Sequence, residues 1–218
     1  MPEIFTQPWM QAILFLALSL LCYLIGCTNG AIVFSKLIFK DDVRSHGSGY
    51  AGLTNFIRNY GARSAILVIA IDVGKGVLAC FASGMLLAGY GYYEYGVALG
   101  ALFVILGHDF PVFLNFKGGK GILTGVTVAV MMDWRIGLFV FGIFLVAYFL
   151  THYVSLGSVL SSGSFGFIYA YFHWGNWFPI FVGLTLSGLI VWMHRANILR
   201  LIKGEERKTN LFQKGKQS

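Results

Sequence analysis

Ser64-Ala-Ile-Leu-Val-Ile-Ala-Ile-Asp72-Val-Gly-Lys75-Gly-Val-Leu-Ala-Cys80-Phe-Ala-Ser-Gly-Met-Leu-Leu-Ala-Gly89 is an almost unbroken apolar run. As a helix it extends about 39 Å, more than the roughly 30 Å of bilayer hydrocarbon. Only Asp72 and Lys75 interrupt it, and residues three apart share a helix face. A lone charge at the bilayer centre costs about 2.5–3.5 kcal/mol. The two therefore read as a structural ion pair that neutralises itself inside the membrane.

The rest of the chain repeats this composition. Of 218 residues, 57% are apolar, 17% aromatic and 11% charged, against about 25% charge in an ordinary soluble domain. A net charge of +7 does not make a nucleic-acid binder of so apolar a chain. Disorder, coiled coil and a secreted disulfide scaffold are excluded on the same ground. Cys22, Cys27 and Cys80 lie in apolar stretches without metal or disulfide spacing, and read as small buried side chains. The first ten residues carry no Lys or Arg, so the first run reads as a retained span and not as a signal peptide.

Further apolar runs extend from about Trp9 to Phe34, Tyr92 to Gly107, Ile122 to Leu150, Val154 to Phe172 and Trp177 to Met193. Asp133-Trp134-Arg135 divides the Ile122–Leu150 run into a span of about 11 residues, roughly 16 Å long, and a full one. The expected architecture is an all-α polytopic membrane protein of about seven transmembrane helices, one of them short; six remains open. The whole of 1–218 reads as a single integral membrane domain, with a polar cytoplasmic tail from about 206. Of 16 Lys/Arg, 14 fall on one side, leaving only Lys75 and Arg135. The positive-inside rule makes that side cytoplasmic. An odd helix count then places the N-terminus outside and the C-terminus inside.

Three cytoplasmic segments carry chemistry. The first, Arg44 to Arg58, contains Gly47-Ser48-Gly49, Thr54 and Asn55, with Asp72 twenty residues after Gly52. This satisfies a dinucleotide-binding pattern but lacks its βαβ context. Its glycines can still bring backbone N–H groups to an anion, or form a flexible juxtamembrane loop. The second runs from Gly107 through His108 to Gly118-Gly119-Lys120-Gly121. It lacks the Ser/Thr and the upstream glycine of a Walker loop, yet a lysine among glycines before a helix suits phosphate. His108 reads as a structural hydrogen-bonder or as part of the site. The third, His194 to Glu205, places His194 and Asn197 on one helix face, with Arg195 and Arg200 marking the interface. No Gly-x-Ser-x-Gly elbow or His-Glu-x-x-His helix is present, and no metal or cofactor is expected.

Together these segments resemble the bacterial acyl-phosphate:glycerol-3-phosphate acyltransferase (PlsY) family. The resemblance rests on Gly47-Ser48-Gly49 through Arg58, on Gly107-His108-x-Phe110-Pro111 through Gly121, and on His194-Arg195-x-Asn197-Ile198-x-Arg200-Leu201. Asp72-x-x-Lys75-Gly76 and Tyr153-Val154-Ser155-Leu156-x-Ser158 also match. It implies a seven-helix enzyme of the bacterial inner membrane with its site facing the cytoplasm. The partners are then small molecules, glycerol 3-phosphate and acyl phosphate, within a lipid bilayer. By position, Ser48, Arg58, Lys120, His194 and Asn197 would be catalytic. Gly47, Gly49, Thr54, Asn55, His108, Gly118, Gly119, Gly121 and Arg195 would bind substrate phosphate. One departure stands out: Tyr50 occupies a position where the family usually carries Asn, and Leu53 one where it carries a small residue.

The chemistry fits this inventory. An acyl phosphate is already activated, so positioning and charge stabilisation can supply most of the catalysis without an enzyme nucleophile. Two alternatives remain at this level: a paralogue with altered substrate, and a transporter or binding protein for an organic phosphate. A transporter would place its site at the midplane between repeats, whereas here the polar groups cluster at one face and no repeat is visible.

Overall fold

The computed structural model describes residues 7–209. Its elements are α1 (Pro8–Gly26), α2 (Gly30–Phe39), α3 (Leu53–Tyr60), α4 (Ala65–Ala88), α5 (Tyr93–Asp109), α6 (Ile122–Met132), α7 (Trp134–Thr151), α8 (Val154–Phe172), α9 (Trp177–Met193) and α10 (Arg195–Ile202). Short 3-10 turns at Val43–Ser45 and Val112–Leu114 sit in the two long loops. Among the described residues there is no strand. Four stretches are long and apolar enough to cross a membrane: Pro8–Phe39, Ala65–Ala88, Tyr93–Leu114 and Trp134–Thr151. The pair α9 and α10, bent by 57°, makes a fifth if taken as one span. Helix α6 has 11 residues, the length expected from the Asp133 turn.

Helix α5 is the centre of the bundle. Its Val97, Ala98, Ala101, Val104 and Ile105 share one core with Cys22 of α1, Ala79 and Cys80 of α4, Val128 of α6, and Val182 and Leu186 of α9. In lipid, helices associate through close backbone approach and not through exclusion of water. Gly107 permits that here, since a Cβ on it would lie 2.1 Å from the Tyr23 carbonyl oxygen of α1. Against α4, a Cβ on Gly96 would lie 2.3 Å from the Ser83 carbonyl oxygen. The three cysteines are buried without a disulfide.

The first apolar run differs from its sequence reading. It is broken at Cys27–Asn29, where α1 ends and α2 begins. Asn29 caps α2 by accepting from the Ile32 N–H (3.1 Å) and donates to the Ala51 carbonyl (3.0 Å). A break inside a membrane leaves orphan carbonyls on one side and orphan N–H groups on the other. The α4 ion pair satisfies both. Lys75 Nζ donates to the carbonyls of Thr28 (2.6 Å) and Gly26 (3.3 Å), while Asp72 Oδ1 accepts from the Gly30 N–H (3.3 Å). Their own separation is 2.9 Å. The pair is structural, as the sequence suggests, and the break it satisfies is what hydropathy concealed.

Candidate active site

The first two loops fold against each other at one end of the bundle. The Ala51 N–H donates to the Gly118 carbonyl (3.3 Å), and Arg44 reaches across to the carbonyls of Leu114 (3.3 Å) and Lys117 (3.4 Å). Gly47 and Gly49 turn the first loop with φ of 58° and 73°, a region that glycine enters freely. Asn55, in the first turn of α3, is buried, and its amide is consumed by the loop. It donates to the carbonyls of Val43, His46 and Tyr50 and accepts from the Ser48 N–H (3.2 Å). Asn55 is thus an organiser of the loop, with no amide hydrogen left for a phosphate. Ser48 stays exposed beside it, and Thr54 lies half-buried.

The glycines of the second loop also have a reason that sequence does not reveal. A Cβ on Gly118 would lie 2.0 Å from the His108 carbonyl oxygen, and one on Gly119 would lie 2.1 Å from His108 Nε2. The loop is pressed onto the end of α5. Its Gly118 and Gly119 N–H groups already donate to the carbonyls of Asp109 (3.2 Å) and His108 (3.1 Å). The expectation that these two amides surround a phosphate is therefore corrected: Lys120, Gly121 and the first turn of α6 carry the amides that face no carbonyl among the described residues. Gly121 begins α6 with φ of 69°. His108 is likewise relocated. It is buried beneath Gly119, its Nδ1 lies 2.7 Å from Lys75 Nζ, and it braces the loop from below.

Lys120 emerges from this support into a group of polar side chains. Its ammonium donates to Asn197 Oδ1 (2.6 Å) and lies 4.2 Å from the centroid of the Tyr50 ring. Burial and the nearby Arg200 push its pKa down to about 8, with Arg58 adding to the repulsion and Glu206 opposing it. His194, at the α9–α10 bend, directs Nδ1 at the Ile190 carbonyl (2.8 Å). A carbonyl only accepts, so Nδ1 carries the hydrogen and Nε2 is left as the ring's acceptor. Arg195 is not in this group. It donates to the Trp192 carbonyl (3.1 Å) and its guanidinium stacks 4.1 Å over the Trp192 ring, so the contacts it makes are with the exposed rim of α9.

Sequence reading missed the residues after α10. Glu206 accepts from Asn197 Nδ2 (2.8 Å) and from Arg200 Nε (2.7 Å). Burial pushes its pKa up, but the hydrogen bonds from Asn197 and Arg200 outweigh that and hold it below the usual carboxylate value. Thr209 is buried; its N–H donates to the His152 carbonyl (3.0 Å), its carbonyl accepts from the Tyr148 hydroxyl (3.1 Å), and its hydroxyl meets Arg58. The polar tail expected from about 206 is docked as far as Thr209, and residues 210–218 lie outside the described ones. An acid among basic residues nine positions after Asn197 was the available signal.

Residues 16–204 match the family model described as Glycerol-3-phosphate acyltransferase. A glycerol-3-phosphate acyltransferase of Thermoanaerobacter sp. (strain X514) is 40% identical over 190 residues, covering 87% of this chain and 93% of the relative. One of Finegoldia magna is 38% identical over 201 residues, covering 91% and 98%. The crystal structure of PlsY, an integral membrane glycerol 3-phosphate acyltransferase, in its glycerol 3-phosphate form is 32% identical and superposes with a TM-score of 0.81, over 91% of this chain and 99% of that one. Its lysophosphatidic acid form gives 30% and 0.77, over 90% and 96%. With sequence, fold and family model in agreement over almost its full length, the chain belongs to the glycerol-3-phosphate acyltransferase family.

Proposed function

We propose that this acyltransferase uses acyl phosphate as donor and the 1-hydroxyl of sn-glycerol 3-phosphate as acceptor, giving lysophosphatidic acid and phosphate. The observation that carries the reading is the cluster of Lys120, Arg58, Arg200 and His194, with an apolar groove beginning at residues next to it in the chain. Both substrates bring phosphate, and a lysine with flanking guanidiniums is suited to two such groups. Ser48, in the loop before α3, and Thr54, in the helix that carries Arg58, would contact substrate. The groove is lined by Ile122, Gly125, Val126, Ala129, Phe165 and Ile190, among others. Ile122 follows Gly121 directly and Ile190 lies one turn before His194, so an acyl chain in the groove would present its carbonyl to the cations.

The step balances without an enzyme nucleophile. The acceptor oxygen bonds to the acyl carbon, the acyl carbon–phosphate oxygen bond breaks, and phosphate departs with both electrons. We assign the hydroxyl proton to a donor phosphate oxygen. His194→Gln separates this from a histidine base: turnover abolished with binding intact would overturn the assignment.

The topology belongs to the same proposal. Residues 1–218 form one domain of seven spans, α1 with α2 and then α4 through α9, with N-terminus outside, C-terminus inside and the site at the cytoplasmic face of the bacterial inner membrane. The test uses purified protein, labelled glycerol 3-phosphate and either palmitoyl phosphate or palmitoyl-CoA. Lysophosphatidic acid from the phosphate donor alone is the expected result. Product from the CoA ester alone, or from neither, overturns the reading.

The groove makes a second prediction. A Cβ on Gly125 would lie 2.9 Å from Ile190 Cδ1, so Gly125→Leu fills the groove one turn below the loop. Turnover of palmitoyl phosphate should fall on the order of tenfold or more, with octanoyl phosphate much less affected. Equal losses for both donors would remove the acyl chain from this groove.

A further inference from the structure

Tyr50, in the first motif, is in contact with Lys120 of the second. The Lys120 stem is four flexible carbons, and its neighbours Arg58 and Arg200 repel the ammonium toward water. Two contacts oppose that drift: the hydrogen bond to Asn197 Oδ1 (2.6 Å) from one side and the Tyr50 ring, 4.2 Å from ammonium to centroid, from the other. The backbone that carries the ring is held in place. The Tyr50 carbonyl accepts from Asn55 Nδ2 (3.1 Å), and the next residue, Ala51, donates to the Gly118 carbonyl (3.3 Å) in the loop that carries Lys120. An ammonium has three donors. One is spent on Asn197 and the ring takes a face contact, so hydrogen remains for an incoming phosphate oxygen.

We propose that Tyr50 is a positioning residue for substrate binding in this chain: the face of its ring holds the Lys120 ammonium between the first and second loops, aimed at the substrate phosphate and shielded from water. The attraction comes from the ring quadrupole and requires neither the hydroxyl nor mere apolar bulk. This rests on the acyltransferase reading above and adds to it a residue that acts through Lys120. The charged and titratable groups around the ammonium are Arg58 of α3, Arg200 of α10, and His194 and Glu206 from either end of α10.

Phe and Leu distinguish the alternatives. Tyr50→Phe keeps the face and loses the hydroxyl; Tyr50→Leu keeps apolar bulk and loses the quadrupole, with Tyr50→Met as a second variant of that kind should Leu fail to fold. The full-length protein is assayed for KM and kcat toward glycerol 3-phosphate across pH 6 to 10, and binding of glycerol 3-phosphate is followed separately by calorimetry. Phe should stay within about twofold of the parent. Leu and Met should raise KM by roughly 3- to 30-fold with a smaller change in kcat, and should move the alkaline limb to lower pH, because a buried ammonium without the ring favours its neutral form. Leu and Met matching Phe, whether all are unchanged or all equally impaired, overturns the proposal. A parent protein that makes no lysophosphatidic acid would reject the function instead, and calorimetry on the same variants would still decide the role of Tyr50.

Discussion

Lys120→Ala should lower kcat/KM for lysophosphatidic acid formation by about 10²–10³-fold, the loss expected when a donor aimed at developing charge is removed from a water-poor site. Arg58 and Arg200 can still contact a phosphate, but Arg200 is positioned by Glu206 and Arg58 by Thr209, so neither replaces an ammonium at the Lys120 position. The pH dependence gives an independent signature. A phosphate monoester becomes a dianion above about pH 6, while burial and Arg200 place the Lys120 pKa at about 8. Since kcat/KM reports the free enzyme and free substrate, it should rise through the first value and fall through the second as the ammonium loses its proton. Lys120→Arg carries a charge that does not titrate in this range. Whatever activity that variant keeps should lose the alkaline limb. An alkaline limb unchanged in Lys120→Arg would assign the titration to another group and remove Lys120 from phosphate recognition.

The helices were legible because hydrocarbon is an unforgiving solvent. Val154–Phe172 and Trp177–Met193 are the helices their apolar runs indicate, and Asp133 ends α6 where a charged turn requires it. Hydropathy averages over a window, so it missed the Cys27–Asn29 break, although Asn29-Gly30 is a readable cap signal. The three site motifs were legible as clusters of chemistry, but the assignment of roles within them was not. Gly118 and Gly119 look like a phosphate cradle, and their missing side chains make room for His108. Asn55 looks like a ligand and is spent on its own loop. Arg195 and Arg200 are equally basic in sequence; a difference of five positions on one helix sends the first to Trp192 and the second to Glu206. Glu206 itself was invisible because the chain around it is polar, and polarity alone does not distinguish a loose end from a docked one.

Lys75→Met should destabilise the protein by about 3–5 kcal/mol, the usual consequence of stranding one member of a buried ion pair. Methionine matches the stem in length and apolar volume, so packing survives and the loss is electrostatic. Asp72, 1% exposed, would keep a carboxylate whose only remaining donor among the described residues is the Gly30 N–H. The Thr28 and Gly26 carbonyls at the end of α1 would lose their donor as well, inside a medium that offers none. The double variant Asp72→Asn, Lys75→Met removes the orphan charge and should recover a substantial part of the stability. Thermal unfolding in detergent measures both. Activity should follow a different course, because Lys75 also faces His108 Nδ1, and His108 supports Gly119 directly below Lys120. The double variant should therefore melt closer to the parent yet bind glycerol 3-phosphate more weakly. A single variant that melts with the parent would mean that the ion pair does not hold the α1–α2 break together. A double variant with parental KM would mean that the brace under the glycine loop does not depend on Lys75.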